Sequence, residues 1–208
     1  YTGVTGAGDI TVNTTVNDHP QIATSTINAA KSVNRFYTIT NSGVTGGSYD
    51  GTFTFVSGDV DSGAITANFI VNNYVNPTWS TTTTGTRTST TTQATGLTVY
   101  GDFQLGEPAP VTTTWTAGAS TTVWTTAGNW SNGVPTASDN AIIATASFYP
   151  EITSTVAVYS LTVDSGTSLT VVSGGNLTVT DVIDNDGTIT VESDANLKQD
   201  NNVTNTGT

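Results

Sequence analysis

A short motif recurs near the C-terminal end of the chain at a fixed spacing, and it restricts the fold more than any other feature. Leu161-Thr162-Val163, Leu169-Thr170-Val171 and Leu177-Thr178-Val179 begin eight residues apart, with turn-forming Gly and Ser between them. At longer range, Asn185-Asp186-Gly187-Thr188 recurs as Asn205-Thr206-Gly207-Thr208, 20 residues later. Such repeats indicate strands that stack in successive coils. The C-terminal part is therefore predicted to be a β-solenoid, a short right-handed parallel β-helix.

The stacking of coils also predicts which side chains point inwards. A coil cannot bury its apolar face without its neighbours, so five residues are expected to form inward rungs: Leu161, Leu169, Leu177, Ile189 and Leu197. Residues 201–205 continue the repeat without a Pro, a charged run or a helix former that would cap it. We therefore expect the residues after Leu197 to be followed by further chain or covered by another subunit. Tyr1 starts without Met or a leader-like segment, so the chain is expected to be processed or excised.

The rest of the chain has the composition of strands separated by turns. Gly, Asn and Asp recur about every 8–12 residues, and Val, Ile, Thr, Tyr and Phe alternate between them, which predicts an all-β fold. Residues 97–105 alternate apolar and polar side chains and are predicted to form one strand, with Gly101 as a bulge. Residues 52–55 and 65–71 are expected to pair as a hairpin. The Ser/Thr-rich residues 80–95 are interpreted as strand and loop on a solvated sheet face.

A pair of prolines suggests where the chain divides into domains. Pro108 and Pro110 follow a strong strand pattern, and proline cannot donate a hydrogen bond to a sheet. We predict a β-sandwich-like module at residues 1–107 and a Pro-containing linker at 108–111. Residues 112–208 are predicted to contain a Trp-rich segment and then the solenoid repeats. Two modules of this size fit the usual range of domain lengths.

The composition limits the partners of the chain. Sixteen acidic residues against four basic ones give a net charge of -12, which would repel a nucleic-acid backbone. Only 10% of the residues are charged, so Thr, Ser, Asn and Gly must cover most of the surface. Cys and Met are absent, which excludes disulfides and thiolate metal sites. No apolar run approaches the roughly 20 residues that span a bilayer, so membrane insertion is not expected.

One segment resembles a known family. Residues 124–143 follow the pattern W-x-x-x-x-N-W-x-x-G-x-P-x-x-x-D and lead into Leu161-Thr-Val-Asp-Ser-Gly166. This resembles large secreted cell-surface, adhesin-type repeat proteins of Bacteroidetes, Flavobacterium-like ones included, that are exported by the type IX secretion system. Four segments are similar to a companion module of that family: residues 18–20, 31–43, 52–59 and 102–107. The resemblance implies a location at the cell surface. The sorting domain of such cargo is not recognisable, which implies that it was cleaved or that more chain follows.

Catalysis is not expected from the residue types present. His19 is the single histidine, and no second His or any Cys is available to complete a zinc site or a catalytic set. It is interpreted as part of a structural turn. Glu occurs only at Glu107, Glu151 and Glu192, and most Asp residues lie in turn contexts, which does not favour a glycosidase carboxylate pair. The chain is therefore predicted not to be an enzyme.

Calcium is the one cofactor left open. Asp59 and Asp61 lie two residues apart in a Gly-bounded loop, and their carboxylates are the ligands that Ca²⁺ prefers. A second acidic cluster contains Asp181, Asp184 and Asp186. Plain acidic turns are the alternative at both places. The prediction is no cofactor, with calcium at Asp59 and Asp61 as the open alternative.

The aromatic residues of the second half are open to two interpretations. Trp115, Trp124, Trp130 and Tyr149 are candidates for a glycan-binding platform, but Trp more often fills the core of a small β domain, and core packing is preferred. Arg35 lies in an alternating strand pattern, and we expect it to be partly buried and paired with a carboxylate such as Asp59 or Asp102.

Together these observations favour an extracellular structural or adhesive segment of a bacterial cell-surface protein, acting as a stalk or assembly module. The alternative is a glycan-binding module with exposed aromatic rings. A further alternative is a subunit of an extracellular fibre or sheath, with a sheet edge or solenoid end completed by a neighbouring chain. The expected partners are neighbouring copies or further domains of the same protein, the type IX secretion machinery during export, and surface polysaccharide.

Overall fold

The computed structural model describes the backbone of residues 1–208 and every side chain except that of Asn202. The chain forms two compact units, Tyr1–Ala109 and Pro110–Thr208. Both units are built from strands, which confirms the predicted all-β class. In the described residues, helical structure is limited to four short 3₁₀ turns: Ile22–Thr24, Ser57–Asp59, Thr66–Asn68 and Ala127–Asn129. None of the helices in this described part has the length and apolar character needed to cross a membrane.

The first unit consists of ten strands in two antiparallel sheets. The strands are β1 (Thr2–Gly6), β2 (Asp9–Val16), β3 (Ile27–Ser32), β4 (Arg35–Ser42), β5 (Thr45–Thr54), β6 (Ile70–Val75), β7 (Thr78–Thr81), β8 (Thr83–Arg87), β9 (Thr91–Leu97) and β10 (Gly101–Pro108). One sheet has the order β1-β5-β9-β8, and the other has the order β2-β4-β10-β6-β7, with β3 paired to β10. The two sheets pack face to face, which confirms the sandwich-like prediction.

The core of the first unit follows from the alternation of side chains along its strands. Phe53 of β5 and Phe103 of β10 come from opposite sheets, and their ring centroids are 5.1 Å apart. Tyr37 of β4 also packs on Phe53, with its hydroxyl donating to the carbonyl of Thr54 at 2.6 Å. Burial raises the pKa of Tyr37 to about 12, because the phenolate would lose its water. Each buried aromatic side chain removes a large apolar area from water and so holds the two sheets together.

The strand pairing in the first unit differs from two of the predictions. Residues 52–54 lie in β5, which pairs with β1 and β9, whereas Ile70–Val75 pair with β10 and β7, so the predicted hairpin is wrong. The two 3₁₀ turns between them carry the chain from one sheet to the other. Residues 97–105 form two strands, not one, because the chain changes sheet between Leu97 and Gly101. Gly101 has φ +139°, and a Cβ there would lie 2.4 Å from the carbonyl oxygen of Tyr74.

Eleven strands make up the second unit. They are β11 (Thr112–Thr114), β12 (Asn140–Ile143), β13 (Glu151–Ile152), β14 (Thr155–Val158), β15 (Ser160–Val163), β16 (Ser168–Val171), β17 (Asn176–Val179), β18 (Val182–Asn185), β19 (Thr188–Val191), β20 (Asn196–Gln199) and β21 (Asn202–Asn205). They form three parallel sheets with the orders β11-β12-β15-β18-β21, β13-β16-β19 and β14-β17-β20. Each coil therefore contributes one strand to each sheet, and the predicted β-solenoid is confirmed, with about 3 turns.

The two repeat lengths in the sequence have separate structural causes. The eight-residue motif places Leu161, Leu169 and Leu177 on consecutive strands of one coil, β15, β16 and β17. The 20-residue spacing is the length of a coil, because Ser168 pairs with Thr188 on the same sheet. From β12 onwards the other pairs are 19 to 22 residues apart, as for Glu151 with Thr170 and for Leu161 with Ile183, whereas Thr112 of β11 pairs with Asn140, 28 residues later. The inward side chains thus keep a regular register, while the number of residues in the turns between strands varies slightly from coil to coil.

A glycine at one corner of the coil is required by a close approach of backbones. Gly187 and Gly207 occupy equivalent places in the repeated Asn-x-Gly-Thr motif. A Cβ on Gly207 would lie 2.0 Å from the carbonyl oxygen of Gly187, and a Cβ on Gly187 would lie 2.5 Å from that of Asp164. A larger residue at either position would push neighbouring backbones apart, which accounts for the glycine in both copies of the motif.

The five predicted rungs all join the solenoid core. Leu161, Leu169 and Leu177 are fully buried, and Ile189 and Leu197 are partly buried against the same cluster. Leu177 and Leu197 occupy the same column, since they are paired residues of β17 and β20. The difference in burial between them arises because Leu177 has a coil on both sides, whereas Leu197 lies on the last strand of its sheet.

Candidate functional site

Asp59 and Asp61, the two carboxylates for which calcium was the open alternative, each hold a loop of the first unit in place. The Arg35 guanidinium donates to Asp59 at 2.9 Å, which confirms the predicted pairing of Arg35 and lowers the pKa of Asp59. Asp61 accepts from the backbone amide of Ser32 at 2.8 Å and from the side-chain amide of Asn34 at 2.7 Å. A cation at Asp59 would have to compete with a guanidinium that already neutralises the carboxylate.

A third acidic residue, Asp18, joins this region, although its sequence context gave no sign of it. Asp18 accepts from the hydroxyl of Ser32 at 2.6 Å and from the side chain of Gln104 at 3.2 Å. Burial raises the pKa of Asp18, and the nearby charge of Asp61 adds to the effect. Asp18 and Asp61 therefore share Ser32 as a donor, since Ser32 also lies 3.3 Å from Asp61.

The second acidic cluster lies on the solenoid and pairs with the next coil. Asp181 accepts from the side-chain amide of Asn201 at 3.0 Å, and Asp186 accepts from the hydroxyl of Thr206. Asp184 is paired in register with Thr204 on β21. Within the residues that the structure describes, no group of three or more His, Cys, Asp or Glu side chains is placed to hold a metal ion.

His19 lies on the outer face of the second sheet of the first unit. Its Nδ1 accepts from the backbone amide of Gln21 at 3.1 Å, so Nε2 carries the proton and donates to Asp102 at 3.2 Å. Asp102 in turn accepts from the hydroxyl of Thr38 at 2.6 Å. Both ring nitrogens are engaged by groups that fix the imidazole in place. This arrangement anchors the loop that contains Asp18, His19 and Pro20.

Three aromatic side chains surround the His19 ring. The centroids of Phe36, Tyr74 and Trp79 lie 5.0, 4.6 and 5.0 Å from that of the imidazole. Trp79 also donates through its indole N–H to the carbonyl of Gln21 at 2.9 Å. The sequence pattern did not single out these three residues, because they come from three different strands and meet only after the sheet has formed.

The tryptophans of the second unit form a buried cluster beside the first coil. Trp115, Trp124 and Trp130 are 1%, 1% and 5% exposed, and Trp130 packs edge-on against both of the others at 5.2 and 4.7 Å. The indole of Trp115 donates to the carbonyl of Phe148, and that of Trp130 donates to the carbonyl of Trp124, each at 2.7 Å. Tyr149 is partly buried and donates to the carbonyl of Gly166 at 3.2 Å. A sugar-stacking platform needs an exposed ring face, and the three indoles are packed inside the domain.

A buried asparagine organises the loop that carries these tryptophans. The Asn129 amide nitrogen donates to the carbonyls of Thr121 and Val123, each at 3.1 Å, and its oxygen accepts from the backbone amide of Ala119 at 3.0 Å. Asn129 directly precedes Trp130 in the N-W pair of the sequence pattern. The pattern therefore describes a cap: its tryptophans fill the end of the core, and its asparagine closes the loop around them.

The opposite end of the solenoid carries the most distinctive surface of the second unit. We name residues 188–208, which contain β19, β20 and β21, the terminal coil. Each of these strands is the last of its sheet. Val171 is fully buried, but its partner Val191 in the terminal coil is 42% exposed. Ile183 is 2% exposed, while its partner Val203 is 59% exposed. The end of the solenoid thus presents strand edges together with apolar side chains.

Polar side chains at equivalent positions 20 residues apart connect successive turns of the solenoid. The Asn185 amide donates to the side chain of Asn205 at 2.7 Å, and the hydroxyls of Thr188 and Thr208 lie 3.1 Å apart. Since the paired positions are equivalent in successive coils, the same contact can be repeated each time a coil is added. These ladders specify the register between coils.

The comparisons with known proteins concern this second unit. Residues 114–208, less than half of the chain, match a protein family described as a domain of unknown function, DUF8693. The matched region contains the Trp cluster, all the solenoid coils after β11, and the terminal coil. No curated protein and no solved structure matches the chain.

Proposed function

We propose that the chain is an extracellular structural or adhesive segment of a bacterial cell-surface protein, and that it acts as a stalk or assembly module. The observation that carries this proposal is that contacts between successive coils of the solenoid repeat. Asn185 pairs with Asn205 and Thr188 with Thr208, each 20 residues apart, and the inward leucines form one continuous core. Contacts that repeat in this way favour continued stacking of β-structure.

The surface chemistry supports the same proposal. Between the last coils, amide and hydroxyl groups pair with each other and with the carboxylates of Asp181 and Asp186, and charged residues make up only 10% of the chain. The contacts between neutral groups are insensitive to salt, because they carry no net charge to be screened. A module that must keep its shape outside the cell, where ionic strength varies, benefits from that property.

Assembly through the terminal coil can be tested in solution. We expect the chain to associate as its concentration rises, as followed by sedimentation velocity, and Val203→Lys to weaken this association by placing a charge on the apolar end. Val111→Lys is the matched control, because Val111 is 54% exposed in the same unit but precedes β11. A chain that remains monomeric at all concentrations, with the two variants indistinguishable from it, would contradict assembly.

The location is tested separately by immunogold electron microscopy with antibodies against the chain. On the proposal, intact cells of the source bacterium are labelled on their outer surface, and material shed from them shows labelled extended structures. Labelling that occurs only after the cells are permeabilised would contradict a surface role.

A further inference from the structure

Three tyrosines of the first unit form a cluster where β1 meets β5. Tyr1 stacks on Tyr49 with ring centroids 4.9 Å apart, and Tyr49 stacks on Tyr100 with centroids 5.5 Å apart. The hydroxyl of Tyr1 donates to the hydroxyl oxygen of Tyr100 at 3.1 Å, although the two residues are 99 positions apart in sequence. The fold thus brings two oxidisable phenols into direct contact.

Strand pairing and one hydrogen bond hold these rings in place. Thr2 of β1 pairs with Ser48 of β5, so Tyr1 lies beside Tyr49, the next residue of β5. The Tyr49 hydroxyl donates to the carbonyl of Val99 at 2.6 Å and so fixes the segment that carries Tyr100. Tyr49 is buried, whereas Tyr1 is 52% exposed and Tyr100 is partly exposed. Tyr49 is therefore a buried support for two phenols that an oxidant can reach.

The way in which the rings meet favours one pair of the three for a covalent bond. When two tyrosyl radicals couple, the new bond joins ring carbons next to the hydroxyl-bearing carbons and lies near the planes of both rings. Tyr1 and Tyr100 meet through their hydroxyl ends, and their ring planes are tilted by only 21° and 11° from that of Tyr49. Tyr49 faces each of them across a stack and would have to leave it to form such a bond. The contact therefore holds Tyr1 and Tyr100 close to the geometry that coupling needs.

The composition of the chain leaves tyrosine as a main target of oxidants. Cys and Met are absent, and these are the residues whose sulfur atoms peroxides readily oxidise. An oxidant is therefore not consumed by sulfur before it reaches the phenols.

A bond at Tyr1 would have a structural consequence for β1. Every residue of this strand except Gly6 is exposed, and among the described strands β1 pairs only with β5. Few buried contacts oppose the opening of such a strand. A covalent bond between Tyr1 and Tyr100 would hold β1 on the sandwich where burial does not.

We propose that Tyr1 and Tyr100 are the site of an intramolecular dityrosine cross-link. Each phenol loses one electron and one proton, and the two radicals form a carbon–carbon bond between ring carbons next to the hydroxyls. The hydrogens on those carbons then move to the oxygens and restore both hydroxyls. Hydrogen peroxide, acting through a peroxidase, takes up the two electrons and two protons and becomes two molecules of water. This goes beyond the function proposed for the solenoid, because it concerns a modification of the first unit.

Oxidation of the whole 208-residue chain by a peroxidase with one equivalent of hydrogen peroxide tests the proposal. We expect a monomer that is lighter by two hydrogen atoms and has the blue fluorescence of dityrosine. Peptide mapping by mass spectrometry should place the cross-link between Tyr1 and Tyr100. A small photosensitiser with persulfate is the second one-electron oxidant, because it reaches partly exposed phenols without the docking of an enzyme.

Variants identify the phenols that react. Tyr100→Phe should lower the yield of dityrosine by about tenfold or more, because the phenol held against Tyr1 is gone. Tyr1→Phe should have the same effect. Tyr74→Phe is the matched control: Tyr74 is partly exposed in the same unit, its hydroxyl donates to Asn76 at 3.2 Å, and its loss should leave the yield unchanged.

Thermal unfolding measures the consequence of the cross-link. The bond closes a covalent loop around almost the whole first unit, so the melting temperature should rise by several degrees in the oxidised chain but not in oxidised Tyr100→Phe. An unchanged melting temperature after complete cross-linking would show that the bond does not hold β1.

The proposal is overturned if neither oxidant removes two hydrogen atoms from the monomer, or if the cross-link maps to another pair of tyrosines. It is also overturned if Tyr100→Phe gives as much dityrosine as the parent chain, or if covalent dimers form in place of a cross-linked monomer.

Discussion

The two units of this chain hold their strands together by opposite uses of polar side chains. In the first unit each polar contact occurs once and joins distant parts of the chain: Gln104 accepts from the His19 amide and donates to the carbonyl of Val33 at 2.7 Å. In the second unit contacts recur at intervals of 20 residues, as for Asn185 with Asn205. A contact that occurs once specifies one fold, whereas a contact that recurs can be extended by adding coils. The difference separates a unit whose contacts are each unique from one whose contacts repeat.

The largest expected effect is a loss of stability in the solenoid core. It tests whether an inward leucine needs a neighbouring coil on both sides to be fully buried. Leu177→Ala should lower the free energy of unfolding by about 2–5 kcal/mol, because Leu177 is fully buried between coils. Leu197→Ala removes the same atoms from the same column at the terminal coil and should cost about half as much. Urea unfolding monitored by Trp fluorescence measures both. Equal losses would show that the terminal coil is covered in solution.

A smaller effect is expected for a contact that occurs once in the first unit. Gln104→Ala leaves the His19 amide and the Val33 carbonyl without their partner in a fully buried place, which should cost about 1–3 kcal/mol. Gln93→Ala, on the neighbouring sheet and partly exposed, is the control and should change stability by less than about 0.5 kcal/mol. Thermal unfolding compares the variants. If Gln104→Ala were as mild as the control, the anchoring role of the first-unit network would be refuted.

The stability of the first unit should depend on pH through two opposing contributions, one from Asp18 and one from Asp59. The pKa of Asp18 is raised by burial, so folding favours its protonated form, and stability rises as pH falls through the folded pKa towards the ordinary value. The pKa of Asp59 is lowered by Arg35, so its stabilisation is present above the ordinary pKa and is lost as pH falls through the folded one.

Two substitutions separate these contributions. Asp18→Asn should remove the stabilisation on acidification and raise stability at neutral pH by less than about 1 kcal/mol, since solvent screens part of the effect. Asp59→Asn should lower stability at neutral pH by about 0.5–1 kcal/mol. Denaturation at several pH values measures each. Parallel pH profiles for the two variants would contradict the opposite signs of the two shifts.

The smallest effect is expected from metal removal. A calcium ion at Asp59 and Asp61 would stabilise the folded chain by mass action, so excess EDTA would lower the melting temperature. Because Arg35 neutralises Asp59 and Asp61 accepts hydrogen bonds from Ser32 and Asn34, we expect little change. A calcium-dependent rise of several degrees that is absent in Asp61→Asn would restore the calcium hypothesis.

The predictions from sequence succeeded where contacts follow a fixed interval. The solenoid could be predicted from Leu161, Leu169 and Leu177 because the same short pattern returns on each strand of the coil. The predicted hairpin of residues 52–55 with 65–71 is wrong, because segments that are close in sequence were assumed to pair. The first segment instead pairs with Thr91–Leu97, about 40 residues further along. Which strands pair depends on how both sheets of the sandwich assemble.

The sequence by itself determined the all-β class, the length of the coil and the inward leucines, because these depend on alternation and repetition that can be counted along the chain. Only the tertiary structure decided how the acidic and aromatic residues are used. For Arg35 the sequence left Asp59 and Asp102 open, and the fold pairs it with Asp59 while Asp102 orients His19; the three tryptophans, expected in the core, meet in one cap. The physical reason is that the partners lie between 6 and 83 residues away, and the folded sheets bring them together.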